Sequence, residues 1–467
     1  MKKLLSYFLC AAALAGCASF QSKPISAATN AATLERRSLE NPRLQKFMEQ
    51  SLNRPIRPWP VSRWDFALLT LAAFYYSSDL DLSRAREQVA EAGKITAGER
   101  PNPKISLLPG VISNPTRSPW IFSIYPSVPI ETAGKRGFRL AEAGQLAKAA
   151  YLDTRRTAWR VRSRLRSSLL ELYFNRKTEE VLKRQVRTQA NLVQMLSVLL
   201  SKGEIPRPVL TRAQISLDSD RLKLIDIRSR AADSRARLAA SLGLSPGRLR
   251  PVNISFDFLK SFPEEIALSR LRRRALLSRP DILAALARYG AAQSALQLEI
   301  AKQYPDVNLG PGYSFQDSEN YWTLGLTLTL PVLNQNQGPI ARARALRKQA
   351  GAAFTVLQAR VMEELDRSEA GYKEMLLKVG TAGALESASR LQMDSARRSF
   401  AEGETSRLEL LSARELYYAD LLLRLQAARQ AQQALGRLED ALQSPLLASE
   451  CGPIKNRPYP EKEKSIE

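Results

Sequence analysis

The sequence predicts a mainly α-helical protein with a small β part, built twice from one unit: helix, β-hairpin, very long helix. The first observation is a repeated template. Pro103-Lys104-Ile105-Ser106-Leu107-Leu108-Pro109-Gly110 reads P-x-I-x-L-x-P-G, and Pro305-Asp306-Val307-Asn308-Leu309-Gly310-Pro311-Gly312 reads P-x-V-x-L-x-P-G, 202 positions later. Trp120 answers Trp322 in the same register, Pro129 answers Pro331, and upstream Asp79 answers Asp281. A fixed internal period marks a duplicated architectural unit. The second observation is that no Pro occurs between Pro129 and Pro206, or between Pro339 and Pro445. This order points to a membrane conduit rather than to an enzyme.

At the N-terminus, Lys2 and Lys3 precede an apolar run from Leu4 to Leu14. The run is too short for a bilayer, which needs about 20 residues, and reads as a signal peptide over 1–16. Its end, Leu14-Ala15-Gly16-Cys17, resembles the bacterial lipobox, so Cys17 is the expected lipidation site. Cys10 leaves with the signal. An acylated Cys17 leaves Cys451 without an intrachain partner, and a disulfide framework is excluded. Ala18 lacks the Asp associated with inner-membrane retention. Residues 17–61 read as a lipidated linker, extended along the Pro-rich segment 54–60.

The first repeat is expected over 62–243. Helical patterning runs from Arg63 to Ala97, and Asn102-Pro103 breaks it. Strands are expected at 103–113 and 119–130. Pro109, Pro126 and Pro129 remove ladder donors there, so bulges or frayed ends should follow. Residues 244–264 link the repeats and hold a possible short strand, Val252-Asn253-Ile254. The second repeat is expected over 265–444, with strands at 305–316 and 321–331. Val307, Leu309, Pro311, Tyr313 and Phe315 alternate with polar or small residues. So do Trp322, Leu324, Leu326, Leu328 and Leu330. This period of two puts one face in lipid and the Thr/Gly/Asn/Ser face in water, on strands of about 10 residues, the length that crosses a bilayer when tilted. Leu324, Leu326, Leu328 and Leu330 are the candidate lipid-facing set. Four strands cannot close a barrel, and lipid does not tolerate open edges, so the chain must oligomerise.

From Arg136 to Ser201 the helical reading spans about 100 Å, which requires packing along its length. It ends at Lys202-Gly203-Glu204-Ile205-Pro206, and its counterpart at Glu402-Gly403-Glu404-Thr405-Ser406. Gly stops one helix and Pro or Ser/Thr opens the next, so each is the tip of a helix hairpin. The tail 445–467 is charged and Pro-rich, and disorder is expected there.

Composition excludes much. There are 70 Lys and Arg against 46 Asp and Glu, a net charge of +24, and no His. Triads and imidazole metal sites are therefore unavailable, and no C-x-x-C, P-loop or dinucleotide fingerprint occurs. No catalytic residue, metal site or cofactor is expected. The basic residues lie in amphipathic helices without aromatic interleaving, which argues against nucleic acid. Arg155, Arg156, Arg160, Arg162, Arg164 and Arg166 wrap around their helix. They read as a solvated or inter-helix surface, with the alternative that some line a tunnel and favour anions.

Over nearly the whole mature chain these residues resemble the TolC family of outer-membrane efflux proteins. Ser278-Arg279-Pro280-Asp281-Ile282 looks like the family's second-repeat entry, and Gly403 with Leu410 and Ala413 like its periplasmic tip. Ala133-Gly134-Lys135-Arg136 and Asn336-Gln337-Gly338-Pro339-Ile340 are similar to the heavy-metal (cobalt–zinc–cadmium type) branch. Pro206 and Pro208 depart from the family's polar, helix-compatible first tip. The resemblance implies a homotrimer: a 12-stranded outer-membrane β-barrel continued by a periplasmic α-helical barrel. It implies an exit duct for metal ions or drugs, with a periplasmic adaptor and an inner-membrane pump of the RND type. Gly203, Glu204, Ile205, Gly403, Glu404, Thr405 and Ser406 would dock the adaptor. Asp218, Tyr418 and Glu409 would form a periplasmic gate. The alternatives are a duct for type I protein secretion and a structural lipoprotein without a channel.

Overall fold

The computed structural model describes residues 20–263 and 268–446. The signal peptide, Cys17, Cys451 and residues 447–467 lie outside the described residues.

Two helices open the described chain, α1 (Ala27–Glu35) and α2 (Pro42–Leu52). Where a linker or a strap along another surface was expected over 17–61, these helices take up much of its length. The Asn41 side chain caps α2 by accepting from the Arg43 N–H at 2.9 Å, with Pro42 in the first turn. Leu44, Phe47 and Met48, spaced i, i+3, i+4, are buried. The polar average of the segment hides this triplet in the sequence. The Pro-rich stretch stays non-helical, and even there Ile56 is buried.

The next helical stretch is two helices, α3 (Phe66–Tyr76) and α4 (Ser78–Gly98). Asp65 caps the first and Ser77 the second, through the Leu68 and Leu80 N–H groups. The expected strand at Val252–Ile254 is a single parallel bridge between Trp64 and Ile254. Around it lie a short helix α7 (Pro246–Leu249) and a 3-10 turn (Asp257–Leu259).

Strands β1 (Lys104–Val111), β2 (Trp120–Ile130), β3 (Val307–Gln316) and β4 (Glu319–Leu328) form one antiparallel sheet in that order. The two hairpins join through β2 and β3, with Phe122 opposite Phe315 and Ile130 opposite Val307. The expected bulges in the first hairpin are absent: pairing runs from Lys104–Ser127 to Val111–Trp120 without a skipped residue. Pro109 is tolerated because β1 is an edge strand. Pro126 instead interrupts the pairing of β2 with β3, between Ile124–Tyr313 and Val128–Leu309. The register there sets it against Pro311, and neither residue has an N–H to give. The 321–331 strand is also corrected. β4 begins at Glu319, because the turn is only Asp317-Ser318, both with positive φ. It ends at Leu328, so Leu330 lies outside the sheet. The register would pair Leu330 with Pro305, which lacks an N–H and whose carbonyl accepts from Thr132 Oγ1 at 2.6 Å.

Four long helices follow the strands: α5 (Lys135–Ser201, 67 residues), α6 (Arg207–Ser241, 35), α10 (Gln337–Ala401, 65) and α11 (Arg407–Leu442, 36). The second repeat opens with α8 (Leu268–Ser278) and α9 (Pro280–Ala301). The long helices lie side by side in the order α6–α5–α11–α10, with α4 and α9 also against α5. The main core forms where α3 packs onto one face of α5 and α2 packs on α3: Ala158, Val161, Leu165, Leu169 and Leu172 share one cluster with Leu44, Leu69 and Phe258. A second core joins α8, α9, α10 and α11 around Val361, Tyr372, Leu435 and Leu438. Among the described residues, no helix is long and apolar enough to cross a membrane.

Candidate functional site

The sheet sorts its residues by chemistry. One face carries Leu107, Ile124, Tyr313 and Trp322 in a single cross-strand row, with Val128, Leu309 and Leu326 in another. The other face carries Ser106, Ser123, Gly312, Ser314, Thr323 and Thr327. On that face a side chain at Gly312 would strike Thr323 and Tyr125, so glycine makes room for the tyrosine ring. Nothing among the described residues covers the apolar face: Trp322 is 80% exposed, Leu324 74% and Leu326 61%. Leu328 is exposed as well. Such an apolar surface on a monomer marks a contact with lipid or protein. At the hairpin ends, the Asp317 carboxylate accepts from the Arg117 and Ser118 N–H groups at 2.5 and 3.1 Å. One turn thus holds the loop of the other hairpin.

At the foot of the sheet, each strand-to-helix junction is turned by a residue in the left-handed region. These are Gly134 (φ +70°) and Asn336 (φ +62°), 202 positions apart. Buried Lys135 donates from Nζ to Tyr304 O and to Asp306 Oδ1, both at 2.7 Å. Thr132 N donates to the same oxygen at 2.9 Å. At the second junction Asn336 Nδ2 donates to Glu299 O at 2.7 Å and to its carboxylate at 2.9 Å. Burial alone would raise the Asp306 pKa, but the Lys135 and Thr132 hydrogen bonds outweigh it and hold the group below its ordinary 3.8. The hydrogen bond from Arg139 likewise lowers Glu131 beside it. A carboxylate with a depressed folded-state pKa stabilises fully above its unfolded value, and that stability is lost as pH falls through the folded value. We expect the melting temperature to drop on acidification below about pH 5, and less steeply in Asp306→Asn, which has no proton to take up there. Parallel curves for wild type and variant would remove Asp306 from the acid response.

The two helix tips are built alike. Gly203 (φ +75°) and Gly403 (φ +79°) stop their helices, with Glu204 N donating to Leu199 O and Glu404 N to Ser399 O, each at 2.9 Å. Pro206 then stands at the N-cap of α6 and Pro208 in its first turn, so the two prolines open the helix. Ser406 opens α11 in a capping box with Glu409, each accepting from the other's backbone N–H at 3.2 Å. Ile205 tucks against Leu192, Leu196, Ala213 and Leu411, while Gly203, Glu204, Gly403, Glu404 and Ser406 are exposed. Thr405 is half-buried, at the position that matches Ile205. An added Cβ at Gly403 meets nothing within 4 Å, so only the backbone resists substitution. Gly403→Val is therefore expected to strain the tip by about 1–2 kcal/mol. Chemical denaturation should read that loss; unchanged stability would mean that the left-handed turn at Gly403 carries no strain.

The three residues expected to form a gate are each engaged within their own helix. Asp218 is exposed and pairs with Arg221 one turn on, at 3.0 Å. The Tyr418 ring lies 5.6 Å from that of Tyr417. The Glu409 carboxylate closes the capping box. Buried acids stand nearby, and the sequence reading missed them. Asp220 is 2% exposed and accepts from Gln185 and Lys223 at 3.0 and 2.9 Å. Asp420 is buried 200 positions later. That repeat offset was the available signal.

The second feature missed is a buried charge network between the halves. Glu439 of α11 lies 3.5 Å from Arg162 and 3.3 Å from Arg166 of α5, and none of the three is more than 4% exposed. Arg166 also donates to the carbonyl and side chain of Gln432 at 3.0 and 2.9 Å. Gln432 in turn donates to Leu259 O and Ser261 O of the inter-repeat segment. A side chain at Gly436 would come within 2.8 Å of Arg166, which explains the glycine. Arg162 stacks on Phe66 and Trp159. Helices α3, α5 and α11 and the inter-repeat segment thus meet in one network. On the side of α5 away from the main core lies an open groove of about 1810 Å³, walled by α5, α6, α10 and α11 and lined by many arginines. No group of three His, Cys, Asp or Glu that could hold a metal occurs among the described residues.

Comparison with known proteins agrees with this architecture. The family model "Outer membrane efflux protein" matches residues 271–443. The cobalt-zinc-cadmium resistance protein CzcC of Cupriavidus metallidurans is 26% identical over 290 residues, which cover 59% of this chain and 65% of that protein, just under two thirds of its length. Among solved structures, the outer membrane protein VceC of Vibrio cholerae superposes with a TM-score of 0.66 at 17% identity, covering 82% of this chain and 97% of that one. The CmeC outer membrane channel of Campylobacter jejuni gives 0.64 at 16% identity, covering 91% and 90%. Residues 271–443 thus match the outer membrane efflux protein family model, and the chain that carries them has the fold of these solved structures.

Proposed function

We propose that the protein is the outer-membrane exit duct of a tripartite efflux system, exporting small solutes such as metal ions or drugs. One observation carries the reading. A four-stranded sheet, apolar on one face and polar on the other, has both edges unpaired among the described residues and continues into four long helices. β1 and β4 run antiparallel to each other, so β4 of one copy can extend the ladder onto β1 of the next. Lipid requires that such a ladder close, and three copies give twelve strands, an even number as such barrels have. The outer helices support the same head-to-tail contact. α6 exposes Ile215, Leu222 and Ile225, and α10 exposes Leu377, Leu385 and Leu391. In this reading the helices form a periplasmic tunnel, and the two tips, Gly203 to Ile205 and Gly403 to Ser406, dock a periplasmic adaptor. The adaptor links the duct to an inner-membrane pump of the RND type. Asp218 and Tyr418 narrow the periplasmic mouth.

Native mass measurement should give three copies, and the purified protein should make discrete conductance steps in planar bilayers. A monomer without conductance would favour the structural lipoprotein instead. Cys17 adds an acyl anchor to the barrel, with an affinity that each chain increases. A fatty-acid probe should label the wild type and not Cys17→Ser; label persisting in that variant rules the anchor out.

A further inference from the structure

We propose that the arginine-lined groove along α5 is a binding and selectivity site for multivalent oxyanions, solutes bearing two or more phosphate or carboxylate groups. The inference rests on the duct reading for its role in transport, but not for the binding itself.

The argument starts from the faces of α5. Ala158, Val161, Leu165, Leu169 and Leu172 are buried in the main core. Arg156, Arg160, Ser163 and Ser167 fall on the opposite side of the helix at its 3.6-residue period and line the groove. The N-terminal layer therefore covers one side of the helix row and leaves the other open. In a closed ring, the uncovered side is the one that can face the lumen.

The groove's charge is unbalanced once its pairs are removed. Its acids are mostly occupied. Asp281 is held by buried Arg279 through two hydrogen bonds of 3.0 and 2.7 Å, and Glu364 lies 3.5 Å from the same guanidinium. Asp440 accepts from Trp159 Nε1 at 2.9 Å and from Ser163 Oγ at 2.7 Å. Glu171 is held by Arg429 and Gln433. Asp281 and Glu364 thus share one guanidinium and Asp440 has only neutral donors, so with Glu363 three negative charges stay uncompensated. Of the lining arginines, Arg166 and Arg279 are in buried networks, Arg164 pairs with Asp79 and Arg237 with Asp233. Arg156, Arg160, Arg360, Arg367 and Arg437 line the groove with no carboxylate within ion-pair distance among the described residues. They come from three different helices.

Five guanidinium groups against three uncompensated negative charges, in a concavity of about 1810 Å³, leave the groove net positive rather than balanced like a solvated helix face. Concave walls of one sign raise the local concentration of counter-ions. Guanidinium forks match phosphate and carboxylate oxygens in pairs, and a single monovalent anion would leave most of them unused. Rings of Arg are also a known way to select anions in pores, and a threefold assembly would repeat this wall three times.

Two readouts test the proposal with the full-length oligomer. In planar bilayers under a potassium chloride gradient, the reversal potential should show chloride preferred over potassium, and pyrophosphate on the periplasmic side should reduce the current. The variant Arg156→Gln/Arg360→Gln/Arg437→Gln should lose both effects, while Arg156→Lys/Arg360→Lys/Arg437→Lys keeps the chloride preference. Titration calorimetry of the detergent-solubilised protein should show pyrophosphate binding that weakens at least about tenfold in the Gln variant and fades with added salt. Cation-selective steps in the wild type, or equal pyrophosphate binding by wild type and Gln variant, overturn the inference. If no steps occur but pyrophosphate binding is lost in the Gln variant, the duct reading falls and the oxyanion site stands.

Discussion

Replacing Glu439 with alanine is expected to destabilise the protein by about 3–5 kcal/mol, because breaking a buried ion pair strands its charged partner. Here the partners are two, since Arg162 and Arg166 share the carboxylate and both are 3% exposed. Arg162 keeps its stacking on Phe66 and Trp159, and Arg166 keeps Gln432, so the loss does not reach the sum of two isolated charges. Leu446 N also loses its acceptor, Glu439 Oε1 at 2.8 Å. The damage should appear as a lower melting temperature and reduced oligomer yield. Removal of the exposed Asp218–Arg221 pair makes the control, at about 0–1 kcal/mol. If Glu439→Ala melts like that control, the network is not what joins the halves.

Leu326→Arg is the second large effect, at about 2–4 kcal/mol near the bilayer midplane. Thr327→Arg, one residue on, should change stability little, because its side chain lies on the polar face of the sheet. The contrast is informative because both residues are exposed in the single chain. Solvent exposure alone would let both arginines pass, so only a lipid environment separates them. Heat-modified migration of the oligomer reads the difference.

The repeat, the hairpins and the tips were legible because backbone rules write them into the sequence. Period-two alternation marked the strands, and Gly203 and Gly403 marked positions where φ is positive. Strand ends were less legible. Leu330 continues the alternation, but its partner position is Pro305, a fact about register rather than pattern. The prolines of the first hairpin suggested bulges, whereas an edge position for Pro109 and a facing Pro311 for Pro126 absorb them without one. The N-terminal helices were hidden because three buried residues, Leu44, Phe47 and Met48, sit in an otherwise polar segment. The Arg162–Arg166–Glu439 network was out of reach altogether. Its carboxylate lies far along the chain from its two arginines, and an arginine that pairs inside looks like one that faces solvent. The same ambiguity divided the Arg155–Arg166 run: Arg162 and Arg166 turn inward, while Arg156, Arg160 and Arg164 line the groove.

The central claim is that the sheet is a wall between lipid and water. Cysteine at Leu326 and at Thr327, probed in outer-membrane vesicles with a membrane-impermeant maleimide small enough to enter the duct, tests it directly. The account predicts that Thr327→Cys is labelled and Leu326→Cys is protected until detergent is added. Equal labelling of the two positions before detergent would contradict it.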